Sequence, residues 1–254
     1  MNQIWIGTAL TCALALAGCG GGPKTEAPKA AAGTEVPDEI NGGTVTGKVL
    51  FEGTPPAAKT IDMSANPACM EMHSAAPVKS EEVIVNGNGT LKNAFVWIKA
   101  GLPEDKKWKV PSSAVELDQS GCMYQPHVIG VMAGQNFALK NSDSTNHNIH
   151  PSTQKNPEWN ESQPPRSDVK LQSFAHPEIM IPIKCNIHPW MRSYVGVVAH
   201  PFFAVTGDDG TFTIKGLPPG TYTVETWHEK YGTRDQQVTV GAGESKTVDF
   251  SFKG

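Results

Sequence analysis

The sequence predicts an all-β protein. Short runs of Val, Ile, Thr and aromatic residues recur between turn residues, 25 Gly and 20 Pro punctuate the chain, and no long segment has helical periodicity. With 254 residues there is room for one large domain or two of ordinary size, each able to bury a core. A net charge of −4 gives no electrostatic reason to expect nucleic acid or an anionic membrane surface as ligand.

Residues 1–19 stand apart. Ile4 to Leu16 is apolar but too short to span a bilayer comfortably, and Leu16-Ala17-Gly18-Cys19 follows as a small-residue cleavage signal. This segment resembles a bacterial lipoprotein signal peptide, although no Lys or Arg precedes the apolar stretch. The resemblance implies that Cys19 is lipidated and that the chain sits in the cell envelope, periplasmic or held to a membrane by a lipid anchor. An ordinary cleaved signal or an uncleaved anchor is the alternative. Residues 20–43, rich in Gly, Ala and Pro, cannot bury a core and are predicted to be a disordered tether.

Strand patterns begin at Thr44. Val45, Gly47, Val49 and Phe51 fall on one face at period two, and Gly53-Thr54-Pro55-Pro56 ends the run. Further strands are predicted at Glu82 to Val85, Ala94 to Ala100, Val128 to Met132 and Asn136 to Asn141. The polar stretch from Asn141 to Val169 is too long for a hairpin connection and reads as a ligand-bearing loop with an excursion. Late in the chain, hairpin signals precede Thr211 to Ile214 (Asp208-Asp209-Gly210) and Thr221 to Val224 (Gly216-Leu217-Pro218-Pro219-Gly220). Two last strands are expected at Gln237 to Val240 and Val248 to Phe252.

This tail resembles the second half of the carboxypeptidase regulatory-like, transthyretin-like β-sandwich, also grouped with carbohydrate-binding-like folds. Thr44 to Val49 and Leu91 to Ile98 look like that family's opening strands. The expectation is therefore an insertion: residues 44–104 and 201–254 form one sandwich, and residues 105–200 form a second one within it. Two consecutive domains with some strand sharing are the alternative.

Cysteine bookkeeping points to the chemistry. If Cys12 leaves with the signal peptide and Cys19 carries lipid, Cys69, Cys122 and Cys185 remain. An odd thiol in an oxidising compartment needs a reason to stay reduced, and metal ligation is one. If Cys185 binds metal, Cys69 and Cys122 are free to pair as a disulfide, provided their geometry allows it.

Cys185, His188 and Met191 are spaced C-x2-H-x2-M on one tight loop, between a strand ending near Lys184 and another starting near Tyr194. Thiolate, imidazole and a weak thioether suit copper in both oxidation states. Pro189 stiffens the loop and lowers the entropy of holding ligands in place. The loop resembles that of the amicyanin-type cupredoxins, including the proline after the histidine and an aromatic residue before the methionine. That resemblance implies a Greek-key β-sandwich holding one mononuclear copper ion, with a further histidine from an upstream loop. His147 matches by position because the family's histidine is typically followed by Asn. His150 is its rival, although imidazoles three residues apart in extended chain point to opposite faces. Met191 would be the axial ligand, yet Arg192-Ser193 stands where the family often has Gly.

Zinc held by Cys185, His147, His188 and His150 is the metallic alternative. The C-x-x-C-H signature of covalent haem is absent. Cys69-Met70-Glu71-Met72-His73 could capture a second copper, against a plainer reading as half of a disulfide beside a structural histidine. His127 has the same plain reading, and His176, His200 and His228 read as structural or surface residues. No G-x-S-x-G elbow, P-loop or dinucleotide fingerprint occurs, and no enzyme activity is expected. The resemblance to methylamine-utilisation-type proteins implies single-electron transfer with a redox partner protein in the envelope. Copper storage or delivery is the second reading, and a structural or glycan-binding envelope module is the third.

Overall fold

The structure is a computed structural model that describes residue 1 and residues 41–254. The expected signal peptide, the lipidation of Cys19 and nearly all of the expected tether lie outside the described residues. The tether is expected to run through residue 43, but Gly43 already opens the first strand. Among the described residues no helix is long and apolar enough to cross a membrane.

Among the described residues the fold is all-β apart from one short helix, and the strands make four sheets that stack in two sandwiches. The first sandwich begins with β1 (Gly43–Glu52), whose inward face alternates as expected through Val45, Val49 and Phe51. Its antiparallel neighbour is β13 (Thr211–Leu217), and on its other side β16 (Ser245–Thr247) and then β17 (Phe250–Lys253) run parallel to it. The facing sheet has the order β12 (Phe203–Val205), β2 (Phe95–Ala100), β14 (Gly220–His228) and β15 (Gly232–Val240). Val45, Val49, Ile98, Phe212, Tyr222 and Phe250 form the core between these sheets.

The second sandwich sets the sheet β4 (Met123–Gln125), β3 (Val115–Ser120), β6 (Phe137–Asn141) and β9 (Lys170–Gln172) against another of five strands. That sheet has the order β5 (Val128–Met132), β11 (Arg192–Val198), β10 (Glu178–Lys184), β7 (His147–Pro151) and β8 (Glu161–Gln163). Leu117, Tyr124, Ile129, Phe137, Ile149 and Val195 fill its interior.

The two sandwiches also pack on each other. β5 is buried at every position, which marks a strand covered on both faces. Ile129 and Val131 face the second core, while Val128 and Met132 join Phe95, Met180, Val198 and Phe203 in a third cluster between the sandwiches. Gly130 and Gly196 leave the room for that cluster: a Cβ on Gly130 would lie 2.3 Å from the Phe203 ring, and one on Gly196 would lie 2.5 Å from the Phe95 ring. The two phenyl rings stack at 5.8 Å between centroids. At the rim, buried His127 bonds Glu229 at 2.5 Å, tying the start of β5 to the β14–β15 turn.

Between β1 and β2 the chain leaves the first sandwich. Its two legs are laced by Ile61 N to Val78 O (2.9 Å) and Ser80 N to Lys59 O (2.8 Å), and the tip carries helix α1 (Pro67–Met72). This strap lies on the second sandwich, where Met63 and Cys69 pack with Cys122 and Met123. Cys69 and Cys122 are joined as a disulfide. The helix is absent from the sequence prediction because six residues carry no measurable period.

Three further expectations need correction. Glu82 to Val85 makes only an isolated bridge, Val85 to Leu91, because no extended partner runs beside it. The stretch Asn141 to Val169 is not all loop, since it contains β7 and β8. The turns before Thr211 and Thr221 do not close hairpins. β12 pairs with β2, β13 with β1 and β14 with β2, so both turns carry the chain across from one sheet to the other. Turn residues fix a reversal of direction but not which sheet supplies the partner. The one hairpin in this tail is β14–β15.

The glycine notch gives a direct test. Gly196→Ala puts a methyl group into the Phe95 ring and should cost about 1 to 3 kcal/mol of stability, measured by urea unfolding. Phe95→Leu in the same chain should relieve part of that cost.

Candidate metal centre

Antiparallel pairing of β7 with β10 sets Lys184 opposite His150. The start of β7 therefore lies beside the end of β10, and His147 is brought next to the loop that opens with Cys185. That loop folds on itself through Met191 N to His188 O (2.9 Å) and Cys185 N to Met191 O (3.3 Å). The Asn148 side chain fastens the two segments: its Oδ1 accepts from Asn186 N at 2.8 Å and lies 3.4 Å from Cys185 Sγ.

The result is a cluster in which His147, Cys185 and His188 each offer a donor atom, all within 4.8 Å of one another and all buried. His147 Nδ1 and His188 Nδ1 face each other at 2.9 Å, and Cys185 Sγ lies 3.8 Å from His188 Nδ1. The outer nitrogen of each ring has its own partner. His147 Nε2 bonds Asp143 Oδ2 at 2.8 Å, and His188 Nε2 meets Asn66 Nδ2 at 2.6 Å. Partners on the outer nitrogens fix ring orientation and leave the inner pair for a metal.

Hydrogen-bond bookkeeping follows from donor and acceptor types. An amide nitrogen only donates, so His188 Nε2 accepts from Asn66 and the His188 proton sits on Nδ1. That proton is donated to His147 Nδ1, and the His147 proton on Nε2 is donated to Asp143. Binding a cation between the rings requires the shared proton to leave the gap. Burial, together with the neighbouring His147, lowers the His188 pKa to about 4, so that ring stays neutral.

The other groups are tuned too. Burial pushes the Cys185 thiol up, but the neighbouring His147 and hydrogen bonds from the backbone around Asn148, His188 and Ile187 outweigh it and hold the thiol below its ordinary value. Burial likewise opposes charge on His147, and the hydrogen bond to Asp143 together with the neighbouring Cys185 overrides it and raises its pKa. Asp143 is kept below the usual carboxylate range, against its own burial, by His147 and by the amides of Cys122 and Gly121, each at 2.7 Å. The cluster therefore sets a thiol of lowered pKa beside two imidazoles, a soft donor set suited to copper or zinc.

His150 is not part of the cluster. It lies on the other face of β7, bonded to Glu158 at 2.6 Å and Asn186 at 3.2 Å. Met191 is fully buried in the same core as Cys185. His73 turns to Gly121 O at 2.7 Å, leaving Met70 and Met72 exposed on α1. A second donor group, Cys122, Asp143 and His147, overlaps the first. The Cys122 sulfur is committed to the disulfide, and the Asp143 carboxylate is taken up by the bonds above. His200 and His228 are buried away from the cluster, and both are lowered to about 4 by burial.

Sequence reasoning missed Asp143 and Asn66. Asn66-Pro67 is a helix-start signature, and Asn66 Oδ1 does cap α1 by accepting from Cys69 N at 3.2 Å. Its second bond, to a ring 122 residues away, has no local signal.

Comparison with known proteins gives partial matches. Residues 195–253, which contain β12 to β17, match the family model of the carboxypeptidase regulatory-like domain. The probable rhamnogalacturonate lyase A of Aspergillus terreus (strain NIH 2624 / FGSC A1156) is 38% identical over 53 residues, 21% of this chain and 10% of the lyase. Among solved structures, the copper-containing nitrite reductase of Thermus scotoductus SA-01 is 18% identical with a TM-score of 0.32, over 39% of this chain and 25% of that one. A purple cupredoxin of Nitrosopumilus maritimus is 19% identical with a TM-score of 0.28, over 32% of this chain and 97% of that one. A methionine-to-alanine mutant of amicyanin in its Cu(I) form is 19% identical with a TM-score of 0.30, over 40% of this chain and 97% of that one. Any functional reading rests on the donor geometry.

Asn66→Ala removes the helix cap and the His188 partner together. It should cost about 1 kcal/mol of stability in thermal unfolding of the metal-free chain and weaken metal binding in a competition titration. Asn66→Asp should restore the cap.

Proposed function

We propose that the chain binds one copper ion through His147 Nδ1, His188 Nδ1 and Cys185 Sγ, with Met191 as a weaker fourth ligand, and carries single electrons in the cell envelope. The observation that carries this reading is the convergence of two imidazole Nδ1 atoms and one thiol in a buried pocket, each outer ring nitrogen already engaged. Copper bound there would supply one-electron redox chemistry. The protein's part is to hold the donors rigidly, so that little rearrangement accompanies a change of oxidation state. Asp143 and Asn66 hold the rings, Asn148 joins the two ligand segments, and the buried walls exclude water.

On this reading residues 105–200 are the metal-holding unit, set within the sandwich built from residues 44–104 and 201–254. Separate cores in the two units support it. The strap crosses that boundary, so the outer unit also helps to build the site. A redox partner in the envelope and a lipid anchor at Cys19 belong to the same proposal. Storage or delivery of copper, and glycan binding by the outer sandwich, have no observation of their own in their favour. Zinc fits the same three donors, and colour separates the metals.

The test is to load the mature chain with Cu(II) and record visible absorption and EPR. The wild type should show an intense thiolate-to-copper band that Cys185→Ser abolishes. A spectrum unchanged by the substitution contradicts the assignment.

A further inference from the structure

An ion that exchanges electrons needs a contact with the surface, and the outer edge of His188 cannot provide it. His188 is 1% exposed. Its Nε2 is closed by Asn66 Nδ2 at 2.6 Å and by Cys69 Sγ at 3.7 Å, and both cysteines of the disulfide are fully buried. The strap has shut that edge.

The ring of His188 leans instead on Trp190, with centroids 5.1 Å apart and planes inclined at 43°. Trp190 Nε1 donates to Cys122 O at 3.0 Å, so the disulfide segment that covers His188 also fixes the indole. Trp190 is partly exposed, and with Pro189 it lines a cleft of about 510 Å³ whose other walls include Asp62, Glu82 and Arg192. Two other exposed side chains near the site, Ile187 and Met70, have no π system to couple to the imidazole.

We propose that the indole of Trp190 is the electron port of this protein, passing charge between His188 and a reactant seated in the cleft. The proposal rests on the copper reading above. In the exchange a donor complex gives one electron to Cu(II), leaving Cu(I) and the oxidised donor, with no bond made and no proton moved.

The experiment follows reduction of the copper-loaded chain by hexaammineruthenium(II) in stopped flow. Trp190→Leu should keep the visible band and react about tenfold more slowly, equivalent to ~1.4 kcal/mol of barrier. Trp190→Phe, which keeps an aromatic ring, should stay within a few-fold of wild type.

If the leucine variant does not fold, surface charge decides. Asp62→Lys and Glu82→Lys should each slow reduction by this cationic donor, while Met70→Lys on the strap should not. A readout independent of copper is broadening of amide signals of the metal-free chain by hexaamminechromium(III), expected at the Trp190 indole and around Glu82. An intact band with wild-type rate in Trp190→Leu, or slowing by Met70→Lys alone, overturns the port and leaves the copper site standing. Absence of the band in the wild type overturns both.

Discussion

The donor cluster depends on the hold that the chain keeps on the outer nitrogens of two histidines. Left to themselves, neutral imidazoles 2.9 Å apart at Nδ1 share a proton and are free to turn. Asp143 removes that freedom for His147 and Asn66 removes it for His188. Neither is a free surface group. The Asp143 carboxylate also accepts from the amides of Gly121 and Cys122, and the Asn66 amide also caps α1. The disulfide between Cys69 and Cys122 joins the two supports, since Cys122 itself donates one of the Asp143 contacts and Cys69 lies three residues from Asn66. Ring orientation, helix cap and disulfide are thus one connected network, and loss of any member loosens the others.

That network requires the strap to reach the second sandwich in a fixed place, which in turn requires the sandwiches to keep a fixed relation. The cluster around Phe95 and Phe203 supplies it. Burying two phenyl rings contributes roughly 1.5 to 3 kcal/mol each, and the bare backbone at Gly130 and Gly196 lets them sit close. The contact is apolar and well packed, so the two sandwiches behave as one support for the strap rather than as tethered bodies.

The fold class and the tight loop from Cys185 to Met191 are legible in the sequence for the same reason: both are local. Alternation in β1 announces a strand, and Cys185, His188 and Met191 share one short loop. Extended chain reverses faces over three residues, so only one of His147 and His150 could join that loop, and the structure sets them on opposite sides of β7; the preference for His147 rests on the family resemblance, through the Asn that follows it. What could not be read is long-range. Turn signals before Thr211 and Thr221 predict hairpins, yet both strands pair with partners more than a hundred residues upstream. Asn66 and Asp143 look like ordinary turn residues until the strap and the β3–β4 turn are seen beside the rings.

The match to a carboxypeptidase regulatory-like domain covers only residues 195–253, and among the described residues both groups of metal-capable side chains lie in the second sandwich. The account therefore stands or falls on the metal that the three buried donors hold. X-ray absorption at the copper edge of the loaded, full chain measures that shell directly. It should contain one sulfur and two imidazole nitrogens as the nearest ligands, and a nearest shell of nitrogen and oxygen without sulfur would contradict the account.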